Sequence, residues 1–208
     1  MKLLDLFCGA GGAAAGYALA GWHVTGVDLR PQHRYPLMDL IQGDALAVLD
    51  DLAFCRTFDA IHASPPCQRY SVATPADRRH RHPDLVATVR VALDRTGVPY
   101  VIENVPGAPL RPDVILCGSM FGLDVQRHRL FESNTGIRTP LECRHTGDAL
   151  SVYGHAPQRW RGGTRTPVSF AEAGAAMGVE WMSSAEIVQA IPPVYTEHLG
   201  RLLQACSR

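Results

Sequence analysis

An apolar run from Lys2 to Phe7 breaks into Cys8-Gly9-Ala10-Gly11-Gly12 and then resumes as an alanine-rich stretch, Ala13 to Ala20, closed by Gly21. The first run has the length of a buried strand, alanine is the strongest helix former, and glycine just past the last helical residue is a common stop. Strand, glycine turn and helix in that order bring backbone N–H groups to a helix N-terminus with no side chain in the way. An α/β fold receives a nucleoside-bearing ligand on such a turn. The same turn also serves packing alone, so by itself it does not choose a ligand.

The pattern continues along the chain. His23 to Asp28 reads as a second strand, Ile41 to Ala45 as a third, and Asp59 to Ser64 as a fourth that stops at the prolines before Cys67. Asp84 to Arg95 has helical spacing, and Tyr100 to Ile102 is the strand that delivers Glu103. Strands alternating with helices predict a Rossmann-like, doubly wound α/β fold with a mostly parallel sheet, whose ligands sit beyond the carboxyl ends of the strands. With 208 residues, 46% of them hydrophobic, there is material for one sizeable core and not for two full domains.

After Glu132 the texture changes. Thr135 to Gly163 is rich in Gly, Arg, His and Pro with little apolar periodicity, until Ser169 opens a helix through Met177. Ala185 to Ala190, the Pro192-Pro193 break and a last helix from about Thr196 to Ala205 follow. The expected organisation is a core over 1–132, a short insertion over 133–164, and a segment over 165–208 that returns to the core.

The formal net charge of +0 does not advertise a polyanion partner, so any nucleic-acid surface must come from local clusters of arginine. Six cysteines are scattered with no CxxC pair, which suggests neither a disulfide framework nor a zinc ribbon. Cys143, His145 and His155 are metal-ligand types close in sequence, but a fourth ligand is not obvious, and no metal is expected. Lys2 leads straight into a strand and no apolar run is long enough to span a membrane, so a cytoplasmic protein with no membrane contact is expected.

Two tripeptides carry chemistry. Pro66-Cys67-Gln68 and Glu103-Asn104-Val105 each follow a short apolar run, and together they offer a nucleophile and a proton donor. Carbon 5 of cytosine is a poor nucleophile until a thiolate adds at carbon 6 and an acid protonates N3; Cys67 and Glu103 fit those two roles. Asp28, at the end of the second strand, can accept hydrogen bonds from ribose hydroxyls, and Asp44 in Gly43-Asp44-Ala45 can accept one from an adenine amino group.

In this order the residues resemble the C5-cytosine DNA methyltransferases over nearly the whole chain. Asp5-Leu6-Phe7-Cys8-Gly9-Ala10-Gly11-Gly12 is similar to the family's first motif, and Ser64-Pro65-Pro66-Cys67-Gln68 followed by Tyr70-Ser71 to its nucleophile motif and mobile loop. Glu103-Asn104-Val105 matches the motif whose Glu holds cytosine N3. Arg127-His128-Arg129 resembles the motif whose second Arg grips the cytosine O2, with Arg127 in support, although Val125 and His128 stand where the family has Gln and Glu. Arg165-Thr166-Pro167 to Met177-Gly178 resembles the ninth motif and Gln189-Ala190-Ile191-Pro192-Pro193 the tenth, with Gln189 where Asn is usual.

The resemblance implies S-adenosylmethionine as cofactor and S-adenosylhomocysteine as product. Phe7, Gly9, Ala10, Gly11, Gly12, Asp28, Leu29, Asp44, Ala45, Pro65, Gln189 and Ala190 are the implied cofactor contacts, and Cys67, Glu103, Arg127 and Arg129 the implied catalytic set. It also implies double-stranded DNA as substrate, with no obligatory protein partner. Gln68, Ser71, Arg144, Arg159, Trp160 and Arg161 are the candidate DNA contacts, because arginine with one large aromatic suits phosphate contact plus stacking. A target-recognition region of only 133–164 implies a short or relaxed recognition sequence, and small members with such a tail suggest a bacteriophage source. Three alternatives stand beside this reading. They are cytosine methylation of RNA, a DNA-binding protein of the same fold without turnover, and a nicotinamide-dependent oxidoreductase that would leave Cys67, Glu103 and Arg129 without linked roles.

Overall fold

The computed structural model describes residues 1–145, 147–153 and 156–206. Strands β1 (Lys2–Leu6), β2 (His23–Asp28), β3 (Leu40–Gln42), β4 (Ala60–Ala63) and β5 (Tyr100–Asn104) run parallel. With β6 (Val114–Leu116) and β7 (Arg129–Ser133) they form a seven-stranded sheet in the order β3-β2-β1-β4-β5-β7-β6, in which β7 is antiparallel to both neighbours. This is the doubly wound, mostly parallel fold class that the sequence predicts. β4 and β5 are buried throughout, and β1 from Leu3 onward, as strands covered on both faces must be.

The helices are α1 (Gly12–Leu19), α2 (Ala45–Asp50), α3 (Leu52–Cys55), α4 (Val86–Thr96), α5 (Phe170–Met177), α6 (Ser184–Ile187) and α7 (Pro193–Cys206). α1 and α7 cover one face, burying Tyr17, Tyr195, Leu199 and Leu203 against Leu3, Val24 and Phe131. α2, α3 and α4 cover the other with Leu49, Cys55, Val89 and Leu93. The two helices of the first face meet at a glycine: a Cβ on Gly16 would lie 1.9 Å from the Pro193 carbonyl oxygen and 2.1 Å from Thr196 Oγ1. Thr196 Oγ1 in turn donates to the Ala13 carbonyl at 2.9 Å.

Some elements differ in extent from the sequence reading. β5 runs two residues past Ile102, because Glu103 and Asn104 pair with Phe131 and Leu130 of β7, so Glu103 projects from a strand and not from a loop. β3 stops at Gln42, since the Asp44 side chain accepts from the Leu46 amide (2.9 Å) and starts α2 at Ala45. α7 starts at Pro193, three residues before Thr196, since proline's fixed φ and missing N–H suit a first helical turn.

Residues of the expected insertion form a second sheet, β8 (Ala149–Ser151), β9 (Gln158–Arg161) and β10 (Thr164–Pro167), antiparallel in the order β10-β9-β8. Its last strand carries the unit past position 164, because Thr164 pairs with Arg161 and Pro167 with Gln158. Leu150 and Val152 bury themselves with Val125, Ala173, Met177 and Ile187, so the small sheet, α5 and α6 share one core. α5 is opened by a capping box between Ser169 and Glu172.

The sheet reverses direction of winding beside β1: β2 and β3 lie to one side of it, β4 and β5 to the other. Ligands of doubly wound sheets bind in the crevice at such a switch point. The carboxyl ends of β1 and β4 lead there into Phe7–Gly12 and Ser64–Gln68, the two loops that carry the sequence's chemical motifs.

Candidate active site

The first loop is built for close approach. Gly9 and Gly11 have φ of +51° and +81°, and a Cβ at Gly9 would meet nothing within 4 Å, so that side of the turn is open. Phe7, at φ 59°, is the one non-glycine residue with positive φ among those described, a conformation that costs about 1–2 kcal/mol. Asp28 braces the turn: one carboxylate oxygen accepts from the Gly9 amide (2.9 Å), the other from the Arg30 amide (2.9 Å). Leu29 beside it is 70% exposed. Ala45 is buried behind Asp44, whose carboxylate caps α2. From the far end of the chain, Trp181 Nε1 donates to the Ala10 carbonyl (2.9 Å), and the Ile191 carbonyl packs over Gly12. The Gln189 side chain donates to the Ala185 carbonyl within its own segment (3.3 Å).

Behind this loop lies a buried carboxyl that the sequence reading quoted within a motif and gave no role. Neither oxygen of Asp5 has a hydrogen-bond partner of ordinary geometry. Burial, and then the nearby Asp28 and Glu103 carboxylates, hold its pKa well above the usual range, with only the Ala14 amide acting the other way. Asp5 thus lies between Asp28 and Glu103 in a cluster of three carboxyl groups, and holds its own proton more readily than a free carboxyl does.

On the second loop, Cys67 is half-buried at the start of a turn in which its carbonyl accepts from the Tyr70 and Ser71 amides, both at 3.0 Å. Gln68 lies inside that turn, and the Ser71 hydroxyl accepts from the Ala73 amide (3.1 Å). Asn104 ties the loop to β5 by donating to the buried Pro65 carbonyl (2.9 Å). Burial and then Glu103 push the Cys67 thiol pKa up, and Arg129 and Arg127 pull it down. Glu103 and Arg129 face each other with Arg129 Nε 3.0 Å from Glu103 Oε1 and both side chains buried. Burial nevertheless prevails over Arg129 and raises the Glu103 pKa. A thiol, a carboxyl that retains its proton more readily than usual, and a guanidinium thus converge at the carboxyl ends of β4 and β5.

A buried relay stands behind Glu103, and it involves contacts that no sequence spacing reveals. Tyr17 OH lies 3.0 Å from His62 Nδ1, His62 Nε2 lies 2.9 Å from Ser64 Oγ, and Ser64 hydrogen-bonds Glu103. Burial lowers the His62 pKa to about 3, so the ring is neutral and has one donor and one acceptor. One arrangement satisfies every group: Tyr17 donates to Nδ1, Nε2–H donates to Ser64, and Ser64 donates to Glu103. The relay has a thermodynamic signature. The folded His62 pKa lies below its ordinary 6.5, so folding stability is complete above pH 6.5 and is lost as pH falls toward about 3. The loss approaches about 1.4 kcal/mol per pH unit within that window. Urea midpoints should fall more steeply with acid in the wild type than in His62→Gln, which cannot titrate; parallel curves would mean that His62 takes up its proton in the folded state.

Arg127 takes a different place from its neighbour. Its Nε, Nη1 and Nη2 donate to the carbonyls of Ala190, Val152 and Val188 at 2.8, 2.7 and 2.7 Å. Burial and then Arg129 lower its pKa to about 9. Those bonds join the small sheet and the segment after α6 to the core, which makes Arg127 a clamp whose charge also acts on Cys67 and Glu103.

The other candidate DNA contacts lie on and beside the small sheet. Trp160 is 41% exposed and carries the Arg165 guanidinium 4.9 Å from its ring centre. Arg159 pairs with Asp124 (2.6 Å) and Arg161 with Asp148 (3.5 Å), so both are partly neutralised. The Arg144 amide donates to Ser119 Oγ (3.2 Å). A hollow of about 550 Å³ between Tyr153, Gln158, Trp160 and Arg165 opens on this sheet. The sequence reading passed over a second basic stretch, the turn Ala76–Arg81, where Arg78 and Arg81 are exposed. The run Arg78-Arg79-His80-Arg81-His82, directly after the loop of Cys67, is the signal that marks it.

Cys143 and His145, for which no fourth ligand is obvious in sequence, meet Cys117 and His128 in space, and one ligand atom from each of the four lies within 4.8 Å of the others. The expectation of no metal site overlooked partners delivered by two strand ends. His155 lies outside the described residues.

An otherwise parallel sheet with one antiparallel strand, a glycine turn after β1 and an acid at the end of β2 together define an α/β fold of the S-adenosylmethionine-dependent methyltransferase class. Two solved structures share the fold over 100% of this chain and 99% of their own. One is a protein described as a DNA modification methyltransferase encoded within a prophage (E. coli), with TM-score 0.66 and 14% identity. The other is the Entamoeba histolytica methyltransferase EhMeth, with TM-score 0.62 and 10% identity. The family model of C-5 cytosine-specific DNA methylases matches residues 1–110, and the chain belongs to that family. It is also 31% identical over 123 residues to the type II methyltransferase M1.HphI of Haemophilus parahaemolyticus; the match covers 50% of this chain and 32% of that protein, so the chain spans about a third of the relative's length. No helix among the described residues is long and apolar enough to cross a membrane.

Proposed function

We propose that this protein transfers a methyl group from S-adenosylmethionine to carbon 5 of cytosine in double-stranded DNA, through a covalent bond between Cys67 and carbon 6. The observation that carries the reading is the convergence of Cys67 with a buried Glu103–Arg129 pair beside the open glycine turn.

The residues present fit the cofactor that the family implies. The open side of Gly9 admits a ligand against backbone, and the Asp28 carboxylate at the turn, with the buried Asp5 carboxyl behind it, favours a ligand that carries a sulfonium and an ammonium. Phe7, Gly9 to Gly12, Asp28, Leu29, Asp44, Ala45 and Pro65 would hold it, with Gln189 and Ala190 toward the methionine end. S-adenosylmethionine, when bound, supplies an electrophilic methyl group.

The protein's own groups account for the rest. Cytosine must leave the stack, since carbon 6 is inaccessible to a side chain in the duplex. Cys67 then adds to carbon 6 as a thiolate; Arg129 and Arg127 favour that charge. Glu103, whose burial raises its affinity for a proton, gives a proton to N3, and the relay through Ser64, His62 and Tyr17 fixes its orientation. Carbon 5 becomes enamine-like and takes the methyl group. Loss of the carbon 5 proton to a base expels Cys67 as the thiolate, and return of the N3 proton to Glu103 restores the ring and the acid. Exposed Arg78 and Arg81, with Trp160 and Arg165 on the small sheet, would contact phosphates and bases.

The test incubates wild type and Cys67→Ser with cytosine-containing duplex DNA and S-adenosylmethionine, digests to nucleosides and measures 5-methylcytosine by mass spectrometry. Product is expected from the wild type and at least 10³-fold less from the variant, of the order lost with an essential nucleophile. Retention of most activity by the variant would sink the nucleophile assignment. Methylation of RNA but not DNA in a parallel assay would sink the substrate.

A further inference from the structure

Four side chains outside the proposed catalytic machinery form a metal-ligand set. Cys117 follows β6, His128 precedes β7, and Cys143 and His145 lie on the stretch that links β7 to the small sheet. Cys117 Sγ is 3.4 Å from His145 Nε2, and Cys143 Sγ is 3.4 Å from His128 Nε2. The two imidazole rings stand nearly perpendicular, with an interplanar angle of 78° and centres 5.1 Å apart. Zinc at about 2.3 Å from sulfur and 2.0–2.1 Å from nitrogen in a tetrahedron requires sulfur–nitrogen edges of about 3.6 Å. Two thiols and two imidazoles already stand close to that spacing, without any movement of backbone.

We propose that Cys117, His128, Cys143 and His145 bind one zinc ion in a closed, structural site. Two sulfur and two nitrogen donors in a tetrahedron select zinc over magnesium or calcium, which take oxygen ligands. Two thiolates neutralise the charge of the ion, and binding releases their protons to solvent. All four positions are filled by protein, which leaves no place for a reactive water. A supporting contact is present: Ser119 Oγ donates to Cys117 Sγ at 3.4 Å and accepts from the Arg144 amide at 3.2 Å, so the donor that orients one ligand also holds the backbone between the two others.

The site performs a task that the apolar core does not. Residues 134–145 form no helix or strand; Ile137 anchors their first part in the core, but 142–145, with Cys143 and His145, are exposed and have no such anchor. Zinc would fasten it to the ends of β6 and β7. The fastening reaches the proposed catalytic pair, because Arg129 Nη1 donates to the carbonyl of the ligand residue His128 at 2.8 Å. That last step rests on the role proposed for Arg129; the metal site itself does not.

Zinc content is measured by elemental mass spectrometry on wild type, Cys143→Ser, His145→Ala and Cys206→Ser, each purified without chelator and dialysed after brief exposure to zinc. Cys143 and His145 are exposed, so their variants should remain folded, and circular dichroism checks this. Cys206 is an exposed cysteine away from the cluster and serves as control. The expected result is one zinc per chain in wild type and Cys206→Ser and less than a fifth of that in the other two. Cobalt in place of zinc should give the intense visible bands of a tetrahedral thiolate site in the wild type and Cys206→Ser, and not in Cys143→Ser or His145→Ala. Wild type without stoichiometric zinc, equal zinc in Cys143→Ser, or a Cys117–Cys143 disulfide seen as a two-proton mass deficit would overturn the proposal. None of these readouts depends on methyl transfer.

Discussion

Glu103→Gln is expected to lower methyl transfer to DNA about 10²- to 10⁴-fold while cofactor affinity changes little. The amide occupies the same space on β5 and can still hydrogen-bond, but it has no proton to give to N3. Glu103 is suited to that gift because burial outweighs the pull of Arg129, 3.0 Å away, so the acid form persists at a higher pH than for a free carboxyl. Single-turnover rates with saturating DNA measure the loss, and calorimetric binding of S-adenosylhomocysteine checks the cofactor side. A fall of less than tenfold would mean that Glu103 only positions the base, and that the proton reaches N3 from elsewhere.

The largest effect on stability is expected at Gly16. Alanine there gains about 1 kcal/mol of intrinsic helix preference. Its methyl group, however, would lie 1.9 Å from the Pro193 carbonyl oxygen and 2.1 Å from Thr196 Oγ1, one of which is backbone and the other fixed by its bond to Ala13. Overpacking of that kind costs about 3 kcal/mol or more, so Gly16→Ala should be destabilised by at least about 2 kcal/mol in net. Gly174→Ala supplies the contrast. Its added methyl meets the flexible tip of Ile187 at 3.3 Å, and the Glu180 Cα and Val179 carbonyl oxygen at the ordinary contact distances of 3.6 and 3.7 Å, so it should stay within about 0.5 kcal/mol of wild type. Urea midpoints for the two variants test the ranking, and equal midpoints would mean that α7 slides away from α1 at no cost.

Much of the sheet was legible because strands buried on both faces read as short apolar runs between turns. β2 has the bounds that the sequence suggests, His23 to Asp28, and β1 and β4 differ by a residue or so. Legibility declined where structure depends on distant partners. Nothing in Glu103-Asn104 announces a strand until Phe131 and Leu130 pair with them. The small sheet is polar, and in β10 wholly exposed, so it lacks the alternation that marks a strand in sequence. At the site, Cys67, Glu103 and Arg129 could be nominated from motif order, whereas the relay from Tyr17 through His62 crosses 45 residues and Asp5 is distinguished only by its lack of a partner. The four metal-ligand side chains show the same limit. Two of them lie close together and read as a fragment; the other two stand eleven residues apart at the ends of different strands, where no spacing rule connects them.

The reach of the chain's last third back to its first helix has a consequence for the time course of folding. Trp181 bonds Ala10 across 171 residues, and Thr196 bonds Ala13 across 183. A ribosome adds about 5–20 residues per second, so on the order of ten seconds or more separate the emergence of the glycine loop from that of the residues that roof it. During that interval β1 and α1 can form, but the apolar face that awaits Tyr195 and Leu199 stays open to water and to other chains. Pairings so remote in sequence are slow to close. A nascent chain of this protein therefore depends on whatever shields that face until α7 arrives, and the yield of native molecules should respond to chaperone supply more than to the intrinsic stability of the finished fold.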